Sequence, residues 1–304
     1  ICFQKNLCIY VFLKKITMKT IIPKETGLKE ISNFFTSAIV PRPVAFVSTI
    51  DENGTPNLSP FSFFNVFSSN PPILVFSPAK SALTGKQKDT YYNIKAVPEC
   101  VIHIANYAMV EQLSVTSGAY PAGVNEFVKG GFTEEKSTLV QPPRIKEAPI
   151  AFECKVNQII ELGETGGSGN LVICEIVAIH VDENLLDANG NVIAEKLDPI
   201  ARLGYNNYVR FTKEDIFETP KPLKSFGVGV DAITQWIKDE GILDGNELGK
   251  LASIAEIPNK EDIQNDSELV ELISDYKDQS INELKRLLND NKIKEAWLVL
   301  LNLK

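Results

Sequence analysis

Residues 59–69, Ser59-Pro60-Phe61-Ser62-Phe63-Phe64-Asn65-Val66-Phe67-Ser68-Ser69, set four phenylalanines among serines and an asparagine on one unbroken segment. Ring faces supply a stacking wall, while short hydroxyl and amide side chains and nearby backbone N–H groups can hydrogen-bond carbonyls and ring nitrogens. The segment suits a flat heteroaromatic ligand with a polar edge and holds no evident nucleophile. A second group, Lys88-Asp89-Thr90, suits an anion: a cation, a hydroxyl, and a helix start whose exposed N–H groups favour negative charge. Asp89 is then the helix cap. Taken alone, this triplet is better explained as a solvated helix N-terminus without a ligand.

The surrounding pattern is mainly β. Candidate strands are 43–50, 55–62, 72–77, 99–106, 150–161, 170–182 and 191–197, with turn clusters at the spacing of a barrel. Asn53-Gly54 and Asn189-Gly190 are hairpin signals. Helices are few in this half: one over roughly 90–97 capped by Asp89, and one from Met109 to Thr116 closed by Gly118. After Thr219-Pro220-Lys221-Pro222 the periodicity turns helical. Ser280-Ile281-Asn282-Glu283 reads as a capping box, and Ile281, Leu284, Leu287 and Leu288 share a face, as do Ile293, Trp297, Leu300 and Leu301. Such stripes close a small bundle or dock on the barrel more often than they bind a partner.

In this order, Arg42–Ile50, residues 57–76 and Lys88–Asn93, together with Tyr120-Pro121-Ala122-Gly123-Val124-Asn125-Glu126-Phe127, Ala151–Val156 and Ala201-Arg202-Leu203-Gly204-Tyr205-Asn206-Asn207-Tyr208, resemble the flavin reductase-like, FMN-binding split-barrel family, in its flavoredoxin-like branch. The resemblance runs from about Ile39 to about Phe211. One departure is Tyr205, where a second glycine often follows Arg-Leu-Gly, and it bears on the shape of the pocket there.

The resemblance implies an FMN-binding split β-barrel with a few helices over 18–222, followed by a helical C-terminal extension over 223–304. It implies non-covalent FMN held by Ser48, Thr49, Ser59, Pro60, Phe61, Ser62, Asn65, Ser68, Lys88, Thr90 and Arg202, with Lys88 and Thr90 on the phosphate. The Phe61–Asn65 backbone would line the ring system, with Phe63 or Phe64 turned inward. It also implies a homodimer paired through the barrel, in which Arg202, Tyr208 and Arg210 either approach the neighbouring chain's cofactor or form surface and dimer contacts. The activity implied is hydride transfer from NAD(P)H to the N5 position of flavin and electron delivery to an acceptor. The alternatives are an FMN electron carrier reduced by a protein partner, or a barrel used only for dimerisation.

Composition narrows the partners. A net charge of −8 and a pI near 5.1 disfavour a nucleic-acid backbone or an anionic bilayer. Five cysteines without metal spacing point to a reducing cytoplasm, with Cys154 and Cys174 acting as small strand hydrophobes. Residues 1–17, ahead of Met18-Lys19-Thr20, read as an upstream extension or gene-model artefact; as a signal peptide their apolar core is short and is followed by Lys14-Lys15. Gly163–Gly169 matches no phosphate-loop spacing and reads as a hairpin loop, and Asp182–Asn189 reads as a turn. His103 and His180 stand alone on strands, as hydrogen-bonded histidines rather than zinc ligands. No Rossmann fingerprint, nucleophile elbow or membrane-length apolar run is present.

Overall fold

The structure, a computed structural model, describes residues 17–219, 226–239, 241–259 and 277–303. The expected N-terminal extension therefore lies outside the described residues except for Thr17, as do Pro220, Lys221 and Pro222. The chain forms two compact units, Lys19–Phe217 and a second that takes in everything from Glu218 onward.

The first unit is built on two short strands and a large sheet. Strand β1 (Arg42–Pro43) leads into β2 (Ala45–Ile50), β3 (Pro56–Phe61), β4 (Phe64–Ser69), β5 (Pro72–Phe76) and β6 (Glu99–Ile104). A two-stranded ribbon, β7 (Glu134–Glu135) with β8 (Arg144–Ile145), precedes the long strands β9 (Ile150–Glu161) and β10 (Asn170–Val181). The main sheet runs β3-β2-β6-β9-β10-β5-β4 and is antiparallel throughout. Its two outermost strands, β3 and β4, are separated in sequence by Ser62 and Phe63 alone. A span of three residue steps reaches about 11 Å at most, so the sheet must roll up until its first and last strands stand side by side. Pro56 and Pro60 lack the N–H needed by a second ladder, which confines β3 to an edge and leaves the roll split at this seam.

Alternation along the strands sorts the side chains into two layers. Ala45, Val47, Phe61, Leu74, Phe76, Cys100, Ile102, Cys154, Val172 and Cys174 fill one, joined by Ile94 of helix α2 (Asp89–Ala96). Cys100, Cys154 and Cys174 are buried free thiols, small apolar fillers as expected of Cys154 and Cys174. Val44, Phe46 and Leu58 face the other way, against Leu113 of α3 (Val110–Thr116), Phe127 of α4 (Glu126–Gly130), Phe132 and Ile145. A small sheet, β1 with β11 (Ile200–Arg202) and β12 (Tyr208–Arg210), completes the unit.

Several elements differ from expectation. Helix α1 (Leu28–Ala38) buries no side chain and has no side-chain cap, so neither burial nor capping marked it in the sequence. The polar-aromatic run ends β3 at Ser59–Phe61, crosses the Ser62-Phe63 link and continues as strand β4, with a bulge between Val66 and Ser68. Residues 191–197 hold a single bridge, Leu186 with Val192, and then helix α5 (Ala194–Leu197), whose Ala-Glu-Lys-Leu composition favours helix over strand. Helix α2 takes Lys88 as its N-cap residue, which puts Asp89 in the first turn and leaves the terminus without a side-chain cap.

The second unit packs α6 (Gln235–Asp239), α7 (Gly245–Ala252) and the helices Lys277–Asn289 and Ile293–Asn302 around a core of Ile237, Leu251, Leu284, Leu288, Trp297 and Leu300. Both expected stripes thus meet inside this unit. Ser280 sits within its helix rather than capping it. The indole N–H of Trp297 donates to Leu251 O at 2.7 Å. Both tryptophans of the chain, Trp236 and Trp297, belong to this core.

The two histidines serve the barrel. His180 Nε2 lies 2.7 Å from Glu153 Oε1, and the fully buried Glu153 carboxylate also accepts from the amides of Thr138 and Leu139. His103 is fully buried, with Nδ1 donating to Phe46 O at 2.9 Å and Nε2 accepting from Ile145 N at 2.9 Å. Both bonds require the neutral ring, and burial pushes its pKa down to about 4. Between roughly pH 6.5 and 4 the unfolded chain binds a proton that the native ring refuses, so stability falls as pH falls through this window. The loss at the acid end is about 3 kcal/mol. Denaturant titrations across this range should show the slope in the native chain and a flatter profile in His103→Gln, which keeps a neutral donor and acceptor; identical profiles would contradict the assignment.

Candidate functional site

The candidate site is organised around the start of α2. Lys88, the N-cap residue, is exposed, and the terminus has no side-chain cap. The first amides of a helix have no partner within it, so those of Asp89 and Thr90 remain available for an anion beside the Lys88 ammonium.

Two clamps fix this terminus. On one side, the loop running from Ser77 to Gln87 is pinned by Asn170, which is wholly buried. Its backbone amide donates to Ser77 Oγ at 3.1 Å, and its Nδ2 donates to Pro78 O at 2.6 Å and Gln87 Oε1 at 2.8 Å. The residue before Lys88 is thereby held. Ser77 N donates to Phe63 O at 2.9 Å, which ties the loop to the aromatic segment. The 163–169 connection between β9 and β10 is a hairpin loop, as expected, and it buttresses the same segment. Lys80 Nζ donates to Gly163 O at 3.0 Å, and a Cβ on Gly166 would meet Ser81 O at 2.8 Å, an approach only glycine permits.

On the other side lies a buried polar chain. Thr90 Oγ1 donates to Asn57 Oδ1 at 2.9 Å, and Thr49 Oγ1 donates to the same oxygen at 3.3 Å while accepting from Asn93 Nδ2 at 3.0 Å. Asn57 Nδ2 and Leu58 N then donate to Glu126 Oε2 at 3.0 and 3.1 Å. Burial pushes the Glu126 carboxyl above its ordinary pKa, against the bond from the Leu58 amide. A cavity of about 170 Å³ opens beside this group, lined by Asn57, Asp89, Tyr92, Asn93 and the 122–124 segment. That volume is below the roughly 300–1,000 Å³ of ordinary small-molecule sites, too small for a tricyclic ring with its tail.

The expected site residues fall into three groups. Lys88, Thr90 and Thr49 meet at the α2 start, but the Thr90 hydroxyl proton is already engaged by Asn57. Thr90 can therefore face a phosphate through its backbone N–H, not by hydroxyl donation. A second group surrounds Arg42, which is buried and donates to Thr36 O and Ile39 O at 2.6 Å, to Leu203 O at 3.0 Å and, more weakly, to Ser62 Oγ at 3.5 Å. Phe63 lies 6.0 Å from its guanidinium, and Arg202 pairs with Arg42 across β1 and β11. Arg202 also donates to Tyr205 O and stacks 4.6 Å over Tyr208. Ser59 and Pro60 lie along β3, opposite Val47 and Phe46.

The remaining residues stand apart. Ser48 is buried and pairs with Leu58, on the face shared with Phe46, and its hydroxyl has no partner. Phe61 is core, its ring 5.5 Å from that of Phe76, and Phe64 also packs inward while Phe63 is exposed. Asn65 is exposed and accepts from Val66 N, and Ser68 lies at the far end of β4, roughly 16 Å along the strand from Phe63. Tyr205 keeps φ at 55°, the left-handed conformation natural to glycine, so the backbone path survives the replacement and the ring projects into solvent. Arg210 pairs with Asp198 and lies 3.9 Å over Tyr107, a surface arrangement. Sequence reasoning missed Arg42, Asn57, Asn93, Glu126 and Asn170 as positioning groups. The available hint was Asn93, three residues after Thr90 and thus on the same helix face.

The family model described as a flavin reductase like domain matches residues 37–200, more than half of the chain. A protein of Aquifex aeolicus is 37% identical over 189 residues, 62% of this chain and 94% of that one. Among solved structures, nitrilotriacetate monooxygenase component B from Bacillus cereus is 34% identical with a TM-score of 0.63, over 67% of this chain and all of that one. The 2-nitrobenzoate 2-nitroreductase NbaA of Pseudomonas fluorescens is 29% identical with a TM-score of 0.60, over 69% of this chain and all of its own.

Removing the Asn170 amide leaves Pro78 O and Gln87 without their donor, so Asn170→Ala should loosen the loop ahead of α2. Trypsin cleavage after Lys80, Lys86 or Lys88, followed by mass spectrometry, is expected to accelerate several-fold under native conditions. Unchanged cleavage would mean that the loop is held by other contacts.

Proposed function

The chain belongs to the flavin reductase like family, and on that footing we propose that it is an FMN-binding oxidoreductase that takes electrons from NAD(P)H and passes them to an acceptor. The observation that carries this reading is the uncapped start of α2, with Lys88 at its N-cap and a rigid clamp on either side. The residues present fit a phosphorylated flavin: Lys88 and the Asp89 and Thr90 amides suit a phosphate, while Phe63 and the Ser59–Ser62 backbone offer a wall and polar edge for the ring. When bound, the flavin supplies two-electron chemistry between a nicotinamide nucleotide and the acceptor.

The chain's own part is positioning and electrostatics. Backbone amides and short polar side chains at fixed positions stabilise charge that develops on a ring edge, without reorganising. No group here needs to act as a strong base. These two solved structures carry names of a monooxygenase component and a nitroreductase, which supports a redox role with an outside acceptor. The same likeness to a component of a larger system keeps the electron-carrier reading in view.

The exposed apolar surface of the chain supports pairing of two copies through the barrel. Phe34 and Phe35 on α1, Phe63, and Val66 and Phe67 on the edge strand β4 are all exposed. An amphipathic helix that buries nothing, with an apolar sheet edge, is surface suited to a partner.

Purified protein titrated with FMN should hold it, and adding NADH or NADPH without oxygen should bleach the flavin absorbance with no other protein present. Bound flavin that does not bleach would favour the carrier, and no bound flavin would end the proposal. Lys88→Ala should weaken FMN binding roughly tenfold, the scale of one charge-assisted hydrogen bond, with the melting temperature unmoved. In light scattering, Phe67→Glu is expected to shift the protein toward monomer; a monomeric parent chain would refute pairing.

A further inference from the structure

We infer that Glu126 is the positioning residue for the anion-binding end of the site, acting through Asn57, and that preference for a phosphorylated flavin over its dephosphorylated form depends on it. This rests on the functional reading above and goes beyond it, because Glu126 does not itself face the proposed phosphate.

The argument turns on the two ends of the Asn57 amide. An amide has one accepting and one donating end, and the surroundings decide which way it points. Glu126 offers only an acceptor, so it takes the Nδ2 end at 3.0 Å and turns Oδ1 toward the hydroxyls of Thr90 and Thr49. The bond from Thr90 then fixes a side chain in the first turn of α2, next to Lys88. Glu126 also holds β3 directly through Leu58 N at 3.1 Å. Without the carboxylate, nothing selects the amide's direction. The helix would then keep its ties further along, from Tyr91, whose hydroxyl donates to Glu161, and from Asn93, which donates to Thr49, but lose the one at Thr90 beside Lys88.

The position of this carboxylate strengthens the case. It is 5% exposed, and its hydrogen-bond donors are both neutral. Burying a carboxylate without a cation is costly, and an apolar residue would fill the site at less cost. A mere filler does not require an accepting oxygen at this point.

Both bonds to Glu126 reach the same oxygen, which makes a conservative variant informative. Glu126→Gln can place its carbonyl oxygen there and keep the amide of Asn57 oriented. Glu126→Ala cannot. The experiment measures dissociation constants for FMN and for riboflavin in the full-length wild type and both variants. Glu126→Ala is expected to weaken FMN roughly tenfold and riboflavin less than about threefold, with Glu126→Gln retaining the wild-type ratio. Equal losses for the two flavins, or no loss for either, would overturn the inference.

A double variant with Lys88→Ala gives a second readout. If both residues act on one phosphate cradle, their combined loss is smaller than the product of the single losses, whereas a simple product would count against the relay. Should Glu126→Ala fail to fold, Asn57→Ala reads the same ratio while leaving the Leu58 bond in place. A wild type that binds neither flavin refutes the functional reading and takes this inference with it. A wild type that binds FMN beside an alanine variant with uniform loss refutes the inference alone.

Discussion

The unit that holds the candidate site depends on a short tether. Strands β3 and β4 stand at opposite ends of a seven-stranded sheet, yet Ser62 and Phe63 are all that separates them. Ladder hydrogen bonds favour a broad sheet, and the tether requires its ends to meet, so a roll with one open seam is the arrangement that satisfies both. Prolines on β3 keep the seam from zipping shut. The seam segment is also where Arg42, Phe63 and Ser77 converge, so the same constraint that shapes the sheet gathers the residues of the aromatic segment.

The long central strands were legible because they needed little context. The 150–161 and 170–182 runs are apolar enough for a covered strand, and turn residues bound them. Helix α1 carries an apolar stripe, Leu28, Ile31, Phe34, Phe35 and Ala38, at helical spacing, and this signal was overlooked because the uncapped segment lies ahead of the first strand and its stripe is buried against nothing among the described residues. Residues 59–69 were read as a ligand-facing segment because their aromatics and serines suited that chemistry, and the strand pairing that claims residues 64–69 depends on β5. In the site, Lys88 and Thr90 could be found because they are neighbours. Asn57, Glu126 and Asn170 could not, since their partners lie 33, 69 and 83 residues away and only the fold brings them together.

The electrostatic balance is local rather than global. A chain with a net charge of −8 would repel a phosphate at long range. Lys80, Lys86 and Lys88 nevertheless crowd the loop before α2, where Lys80 is used up on backbone carbonyls and Glu161. Lys86 and Lys88 stay exposed beside unpaired helix amides. Any affinity for an anion at this point would therefore come from short-range donors in a fixed geometry, which salt screens less than it screens a diffuse field.

The placement of both tryptophans in the helical unit, and none in the barrel, separates the two units optically. Indole emission reports on the helices alone, so the melting of the helical unit can be followed apart from that of the barrel, without an attached dye.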